Sequence, residues 1–423
     1  DMVARGEMWD IGDDTDCSEE VATIIRERLL GQVFAVAAQI VEEEVCSIED
    51  VDRGAKVGLR WAQGPFEMAN QFGISKAVSM AQKYAELADF TLPDWFSQIS
   101  KPLKFSYVDT IIENDIATVC INRPEAMNAL NETVVSQLGS VLDSLNSRDD
   151  ISTIILDGAG KAFVAGADVK FFVDKIRADS FSEIYDFTAK GHEVLSKLEH
   201  SNKVTIALTT GLALGGGLEL ALACDYRIGT RRTQFRFPET SIGIYPGLGG
   251  TQRTTRICGI EAARFAILAG NFLDSESAMA LGLLTHLVNP GDVNKTIASI
   301  TKSGKPAIKY LGRPADLSHP TVTFALDFYS DNNMQSINSG KCPEGFSTDD
   351  KMVIKQLKSL SRAAPIAISM SSALLEDAIN TGDDLEKGLS LELERLEEIF
   401  ATNDSLEGLS ALIEGRRPTY NNN

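Results

Sequence analysis

Two glutamates twenty residues apart, Glu219 and Glu239, have the type and setting for acid–base chemistry. Glu219 follows the triplet Gly215-Gly216-Gly217 and lies in the short apolar run Leu218–Cys224, which reads as a helix. Ile206-Ala207-Leu208 close a β-rich run just upstream. The triplet is then a strand-to-helix turn, which residues without Cβ make freely. Such a turn sets backbone N–H groups at a helix N-terminus, where negative charge is favoured. An enolate or tetrahedral oxyanion is one such charge, and preorganised N–H donors stabilise it strongly. A carboxylate one turn further on can give or take a proton beside it. Glu239 sits in a Phe-Pro-Glu-Thr corner. Taken alone, the stretch admits a plainer reading equally well: Glu219 complements the helix dipole and the glycines permit close packing.

The elements that must position these groups are legible on either side. Tyr107-Val-Asp-Thr-Ile-Ile alternates as a strand does, and Ile116–Ile121 and Ile151–Leu156 read as two more. Asn131 opens a helix whose apolar residues Val134, Leu138, Val141 and Leu145 face a core. Pro246-Gly-Leu-Gly-Gly250 is a glycine loop without the Gly-Lys-Ser/Thr ending of a phosphate-binding loop. Ile260–Leu268 and Ser275–Gly282 read as helices, as do Asp384–Phe400 and Ser405–Glu414.

Six blocks in order carry a resemblance to the enoyl-CoA hydratase/isomerase family, the crotonases. They are Ile121-Asn-Arg-Pro-Glu-Ala-Met-Asn-Ala-Leu130, Ala165-Gly-Ala-Asp168, Ala213-Leu-Gly-Gly-Gly-Leu-Glu219, Pro238-Glu239, Pro246-Gly-Leu-Gly-Gly-Thr-Gln-Arg253 and Glu414-Gly-Arg-Arg-Pro418. The resemblance implies an α/β fold with a crotonase-type repeated ββα spiral core and C-terminal helices. It implies Glu219 and Glu239 as catalytic acids and the N–H groups of Ala167 and Gly216 as the oxyanion hole. Having both acids points to hydration of a trans-2-enoyl-CoA, such as crotonyl-CoA, to a 3-hydroxyacyl-CoA. The alternatives are a family isomerase, a specialised 3-hydroxyacyl-CoA dehydratase or a non-catalytic subunit of a multifunctional fatty-acid oxidation protein. Substrate contacts are expected at Ala126, in the loop along the coenzyme A arm, and at Ala165, Asp168, Val169, Lys170 and Gly247. Lys170 reads equally as a solvated surface lysine. The glycine loop at 246–250 is expected to wall the acyl pocket. The substrate is a coenzyme A thioester; no metal or redox cofactor is implied. A homo-oligomer, a trimer or dimer of trimers, is expected, with the C-terminal helices contributing to it.

Residues 1–101 differ from the rest and hold all three tryptophans, Trp9, Trp61 and Trp95. Ser18-Glu-Glu caps a long helix carrying Val21, Ile24, Ile25, Leu29, Val33 and Val36 at helical spacing. Ser47-Ile-Glu-Asp50 is a capping box for a second helix, Gly64-Pro65 ends it, and a third starts at Phe66. Ile48-Glu-Asp-Val-Asp-Arg-Gly54 and Gly64-Pro-Phe-Glu67 resemble the C-terminal helical domain of 3-hydroxyacyl-CoA dehydrogenases, as in fused dehydrogenase–hydratase proteins. Glu27 stands before Arg28-Leu29 where that family usually carries a catalytic Asn. With no Gly-x-Gly-x-x-Gly fingerprint in the sequence, this domain is expected to be non-catalytic. The expected organisation is a helical domain at 1–101, a core at 102–303, an insertion at 304–360 and a helical region at 361–423. Within the insertion Thr321–Leu326 reads as a strand and Asp349–Leu360 as a helix; a surface lobe, an assembly contact or a lid are its open roles.

A net charge of −20 argues against bulk binding to nucleic acid or anionic membranes, which needs basic surface. Cys17, Cys46, Cys120, Cys224, Cys258 and Cys342 lack metal-ligand spacing and read as reduced core residues of a cytoplasmic protein. Four scattered histidines form no catalytic or metal motif. No apolar run reaches membrane-spanning length and no signal peptide is recognisable. The first residue is Asp1, as in a fragment of a longer polypeptide.

Overall fold

The computed structural model describes residues 18–422, so Trp9 and Cys17 lie outside the described residues. The chain divides into two compact units between Ser106 and Tyr107.

The first unit is helical. Ser18 caps the helix Glu19–Glu42 and Ser47 caps Ile48–Gly58, as their spacing predicts. The second helix stops at Gly58, short of Gly64-Pro65; Pro65 instead begins the third helix, Pro65–Phe72. Pro is well placed there, because the first N–H of a helix lacks an internal partner. Buried Asp52 explains the motif in this region. Its carboxylate accepts from the N–H groups of Phe66 and Glu67, both at 2.8 Å, and so caps the third helix from the second. Gly64 must be glycine because a Cβ would lie 2.1 Å from the Asp52 carboxyl carbon. The core joins Phe34, Phe66, Ala77, Met80, Ala81 and Phe96. Val21, Ile24, Ile25 and Leu29 remain exposed on the first helix.

The second unit is built on two sheets. Among the described residues its strands are β1 (Val108–Glu113), β2 (Ile116–Ile121), β3 (Thr153–Gly158), β4 (Ala162–Ala165), β5 (Val204–Thr209), β6 (Leu212–Leu214), β7 (Tyr226–Gly229), β8 (Gln234–Arg236), β9 (Leu273–Asp274) and β10 (His286–Leu287). The larger sheet has the order β1-β2-β3-β5-β7-β10 and is parallel apart from β1 against β2. The smaller has the order β4-β6-β8-β9, parallel from β4 to β8. A strand of the large sheet is followed within a few residues by one of the small sheet: β3 by β4, β5 by β6, β7 by β8. A helix follows β4 and β6, and a 3₁₀ turn follows β8. This is the expected repeated ββα spiral. β3 and β5 are buried on both faces, which is why they read as near-continuous apolar runs.

The segment expected as an insertion packs into this unit. Thr321–Leu326, read from its β-branched residues as a strand, is part of the helix Pro320–Phe328. The start of this helix favours it: His319 caps with its ring nitrogen and Pro320 occupies the first helical position. Phe328 and Tyr329 are fully buried in an aromatic cluster with Phe265, Phe324 and Phe346. Asp384–Phe400, expected as one helix, breaks at Arg395 into Leu385–Glu394 and Leu396–Phe400.

Candidate active site

The spiral delivers three functional groups from consecutive strands of the small sheet. Ala165, Leu214 and Arg236 are in register across β4, β6 and β8. Two residues beyond the first two are Ala167 and Gly216; three beyond the last is Glu239. Neighbouring strands lie roughly 4.8 Å apart, so strand ends in register bring these groups to one place.

Ala167 lies in a short parallel bridge with Leu130. Leu130 N–H donates to Gly166 O and Asp168 N–H to Leu130 O, both at 2.9 Å. In a parallel ladder the residue between two such bonds turns its own N–H to the opposite side. Gly216 lies close by: a Cβ there would be 3.9 Å from the Ala167 nitrogen. Gly216 is also the first residue of the helix Gly216–Ala223, so its N–H has no acceptor within the helix. The triplet divides its work differently from the expected three-glycine turn. Only Gly215 has positive φ, at 46°. Gly217 allows close packing, since its Cβ would lie 2.0 Å from Val164 O. Gly216 needs neither.

Glu219 is in the first turn of that helix and is buried. Its Oε1 accepts from the N–H groups of Leu248 and Gly250, each at 2.7 Å. Oε2 is thereby the oxygen available to a reactant. Burial pushes its pKa up to about 7, against the two N–H donors and the Arg253 guanidinium, which pull it down. Glu239 opens the 3₁₀ turn Glu239–Ile242 and is also buried, with no hydrogen-bond partner at Oε2. Burial, then the Glu219 charge, holds its carboxyl well above the usual range. Both carboxyls are thus raised, with unlike surroundings: Glu219 is held by two N–H groups, while Glu239 faces the Glu219 charge with one oxygen unbonded.

Both acids line one cavity of about 270 Å³ together with Ala165, Ala167, Val169, Gly216 and Gly247. Phe172, Phe187, Leu396, Phe400, Leu409 and Leu412 give it an apolar wall. Three residues expected to contact substrate do not line it. Asp168 caps the helix Val169–Arg177 and pairs with Arg123 at 3.3 Å. Lys170 is exposed, and Ala126 closes the 3₁₀ turn Pro124–Ala126. The glycine loop does wall the cavity through Gly247 and Leu248. Its second role, holding Glu219 with two N–H groups, is not visible in side-chain letters.

More of this loop's support escaped the sequence reading. Arg253 is fully buried, donates to Leu248 O at 3.0 Å and pairs with Glu199 at 2.9 Å. His192 Nε2 bonds Gly247 O at 2.8 Å, and burial lowers its pKa to about 4. Glu392, from the helix Leu385–Glu394, is fully buried. A signal existed for Glu392: it lies three residues after buried Leu389 and four before buried Leu396, an acid at a core register.

The spiral thus brings main-chain N–H groups and two buried carboxyls from three strand ends to one largely apolar cavity. Residues 116–423 match the enoyl-CoA hydratase/isomerase family model, and residues 25–102 match the C-terminal domain of 3-hydroxyacyl-CoA dehydrogenase. The chain belongs to the enoyl-CoA hydratase/isomerase family. It is 30% identical over 308 residues to a short-chain-enoyl-CoA hydratase of Clostridium acetobutylicum, covering 72% of this chain and 94% of that one. It is 31% identical over 323 residues to a probable enoyl-CoA hydratase of Mycobacterium tuberculosis, covering 74% and 98%. An enoyl-CoA hydratase structure from Rhodobacter sphaeroides shares the fold, with a TM-score of 0.64 at 22% identity over 75% of this chain and 92% of that one.

Proposed function

We propose that the protein adds water reversibly across the double bond of a trans-2-enoyl-CoA, crotonyl-CoA being the simplest, to give a 3-hydroxyacyl-CoA. The observation that carries this reading is the pair of buried carboxyls, Glu219 held by two N–H groups and Glu239 with an unbonded oxygen, lining the same cavity as Ala167 and Gly216. Ionised Glu219 takes a proton from water as the water oxygen bonds to C3. The C2=C3 electrons move toward the thioester, and charge builds on its oxygen, where the Ala167 and Gly216 N–H groups receive it. Glu239, carrying its proton, delivers it to C2. Glu219 has then gained one proton and Glu239 lost one, and a proton passes between them or through solvent before the next turn. A second acid is what an isomerase, which only moves a proton along the acyl chain, does not need.

The acyl chain runs along Phe172, Phe187 and Phe400, where apolar surface is removed from water at roughly 25 cal/mol per Å². Catalysis uses main-chain donors and carboxyls, with no metal or redox cofactor. By the family resemblance the chain assembles as a trimer or dimer of trimers. Incubation of the purified protein with crotonyl-CoA tests the reading: the enoyl absorbance should fall and 3-hydroxybutyryl-CoA should form. Unchanged absorbance, or a shifted double bond without added water, would sink it.

A further inference from the structure

The loop that grips Glu219 is itself gripped by a residue far along the chain. Glu392 reaches Gly249 N–H and the Thr251 hydroxyl, one with each carboxyl oxygen. Its own backbone carbonyl accepts from Tyr245 Oη at 2.6 Å. One residue therefore ties both ends of the 245–251 loop. Between those ties lie Leu248 and Gly250, whose N–H groups set Glu219. Gly249 has φ of 90°, which glycine adopts freely, and a Cβ there would lie 2.1 Å from the Arg253 guanidinium, so the loop can pass between its ties only with glycine at this position. We infer that Glu392 is the positioning residue for the catalytic base, clamping the 245–251 loop so that its two N–H groups point at Glu219 Oε1. This rests on the hydratase reading for its catalytic consequence, although the clamp itself is a matter of geometry.

Burial and the Glu219 charge raise the Glu392 pKa to about 8, so near neutrality the group is mostly the neutral acid. Gln copies that acid closely: a carbonyl oxygen remains for Gly249 N–H, and an NH₂ replaces the acid O–H beside Thr251. Alanine leaves the buried Gly249 N–H unpaired and the Thr251 hydroxyl without an acceptor for its proton, with only Gln252 Nε2 still donating to it at 3.0 Å. Thr251→Val is a milder cut, removing one of the two anchors while keeping the side-chain shape.

The test compares Glu392→Ala, Glu392→Gln and Thr251→Val in the full chain, by crotonyl-CoA hydration and by amide hydrogen exchange of the 245–251 segment. Glu392→Ala should lower kcat about 10- to 100-fold with KM nearly unchanged, the scale of a misplaced catalytic group. Exchange at 248 and 250 should quicken in the same variant. Glu392→Gln should restore most of both losses, and Thr251→Val should fall between. Glu392→Ala with parental kcat per folded molecule would overturn the inference, as would unchanged exchange in the loop. If Glu392→Ala does not fold, Thr251→Val decides: parental kcat and exchange there count against the clamp. If the parental protein hydrates nothing, the function reading fails separately. Exchange then decides the clamp, upheld by a loop that loosens in these variants and refuted by one that does not.

Discussion

Glu219 and Glu239 are equivalent as letters and unequal as groups. Both are buried, but Glu219 receives two backbone N–H bonds and the Arg253 field, while Glu239 has Glu219 as its neighbour and an unbonded oxygen. Replacing either by Gln should lower turnover by about 10²-fold or more, with smaller changes in substrate affinity, the usual scale for lost acid–base catalysis. Near-parental turnover in either variant would remove that residue from the mechanism. The pH profile follows from the same inequality. kcat/KM should rise with pH through about 7 as Glu219 becomes the base, and fall at higher pH as Glu239 loses its proton. A profile flat from pH 5 to about 9 would contradict the assignment. Stability runs the other way. Glu392 has a folded pKa raised from 4.5 to about 8, so its contribution is complete below 4.5 and is lost as pH climbs through 8. The melting temperature of Glu392→Gln should therefore gain on the parental protein between pH 5 and about 9; a constant difference would show that the carboxyl does not titrate in that range.

Among the elements, the turn into the helix Gly216–Ala223 offers a clean cut at the oxyanion hole. Pro is tolerated at the first position of a helix, where its missing N–H costs no helical bond. A Cβ on Gly216 would approach only the flexible Leu248 side chain closely, at 3.1 Å. Gly216→Pro should then remove one donor and lower turnover about 10²- to 10³-fold while the melting temperature moves little. Gly216→Ala, which keeps the donor, should lose much less. Gly217→Ala should instead unfold, since its Cβ would meet backbone. A folded Gly216→Pro protein with parental turnover would refute the oxyanion role. The acids and this turn were readable because their motifs are short and local. The grip on Glu219 was not, because main-chain donors carry no letter and Glu392 lies 143 positions from the loop it holds. The strand misread at Thr321–Leu326 shows a related limit: a proline at the first helical position outweighed β-branched composition.

On the scale of the molecule, every residue placed at the site comes from the second unit. A chain of residues 107–423 should keep the hydration turnover of the full chain, and a large loss would give the helical unit a part in the reaction. NAD-dependent oxidation of 3-hydroxybutyryl-CoA should not be seen, since the sequence carries no dinucleotide fingerprint. Much of the layout of the unit was legible from its strands and motif blocks; the packing of residues 320–360 was not, because their aromatic contacts join positions remote in sequence. The acyl wall has a further implication for synthesis. Leu396, Phe400, Leu409 and Leu412 lie well after the acids, the oxyanion turn and the glycine loop in the chain, and Glu392 comes just before them. A ribosome has already made the acids, both oxyanion donors and the glycine loop when these are still to be translated. A nascent or prematurely terminated product that stops short of Leu396 thus holds the reactive groups without this wall, and the cavity can be enclosed only after the chain through Leu412 has been made.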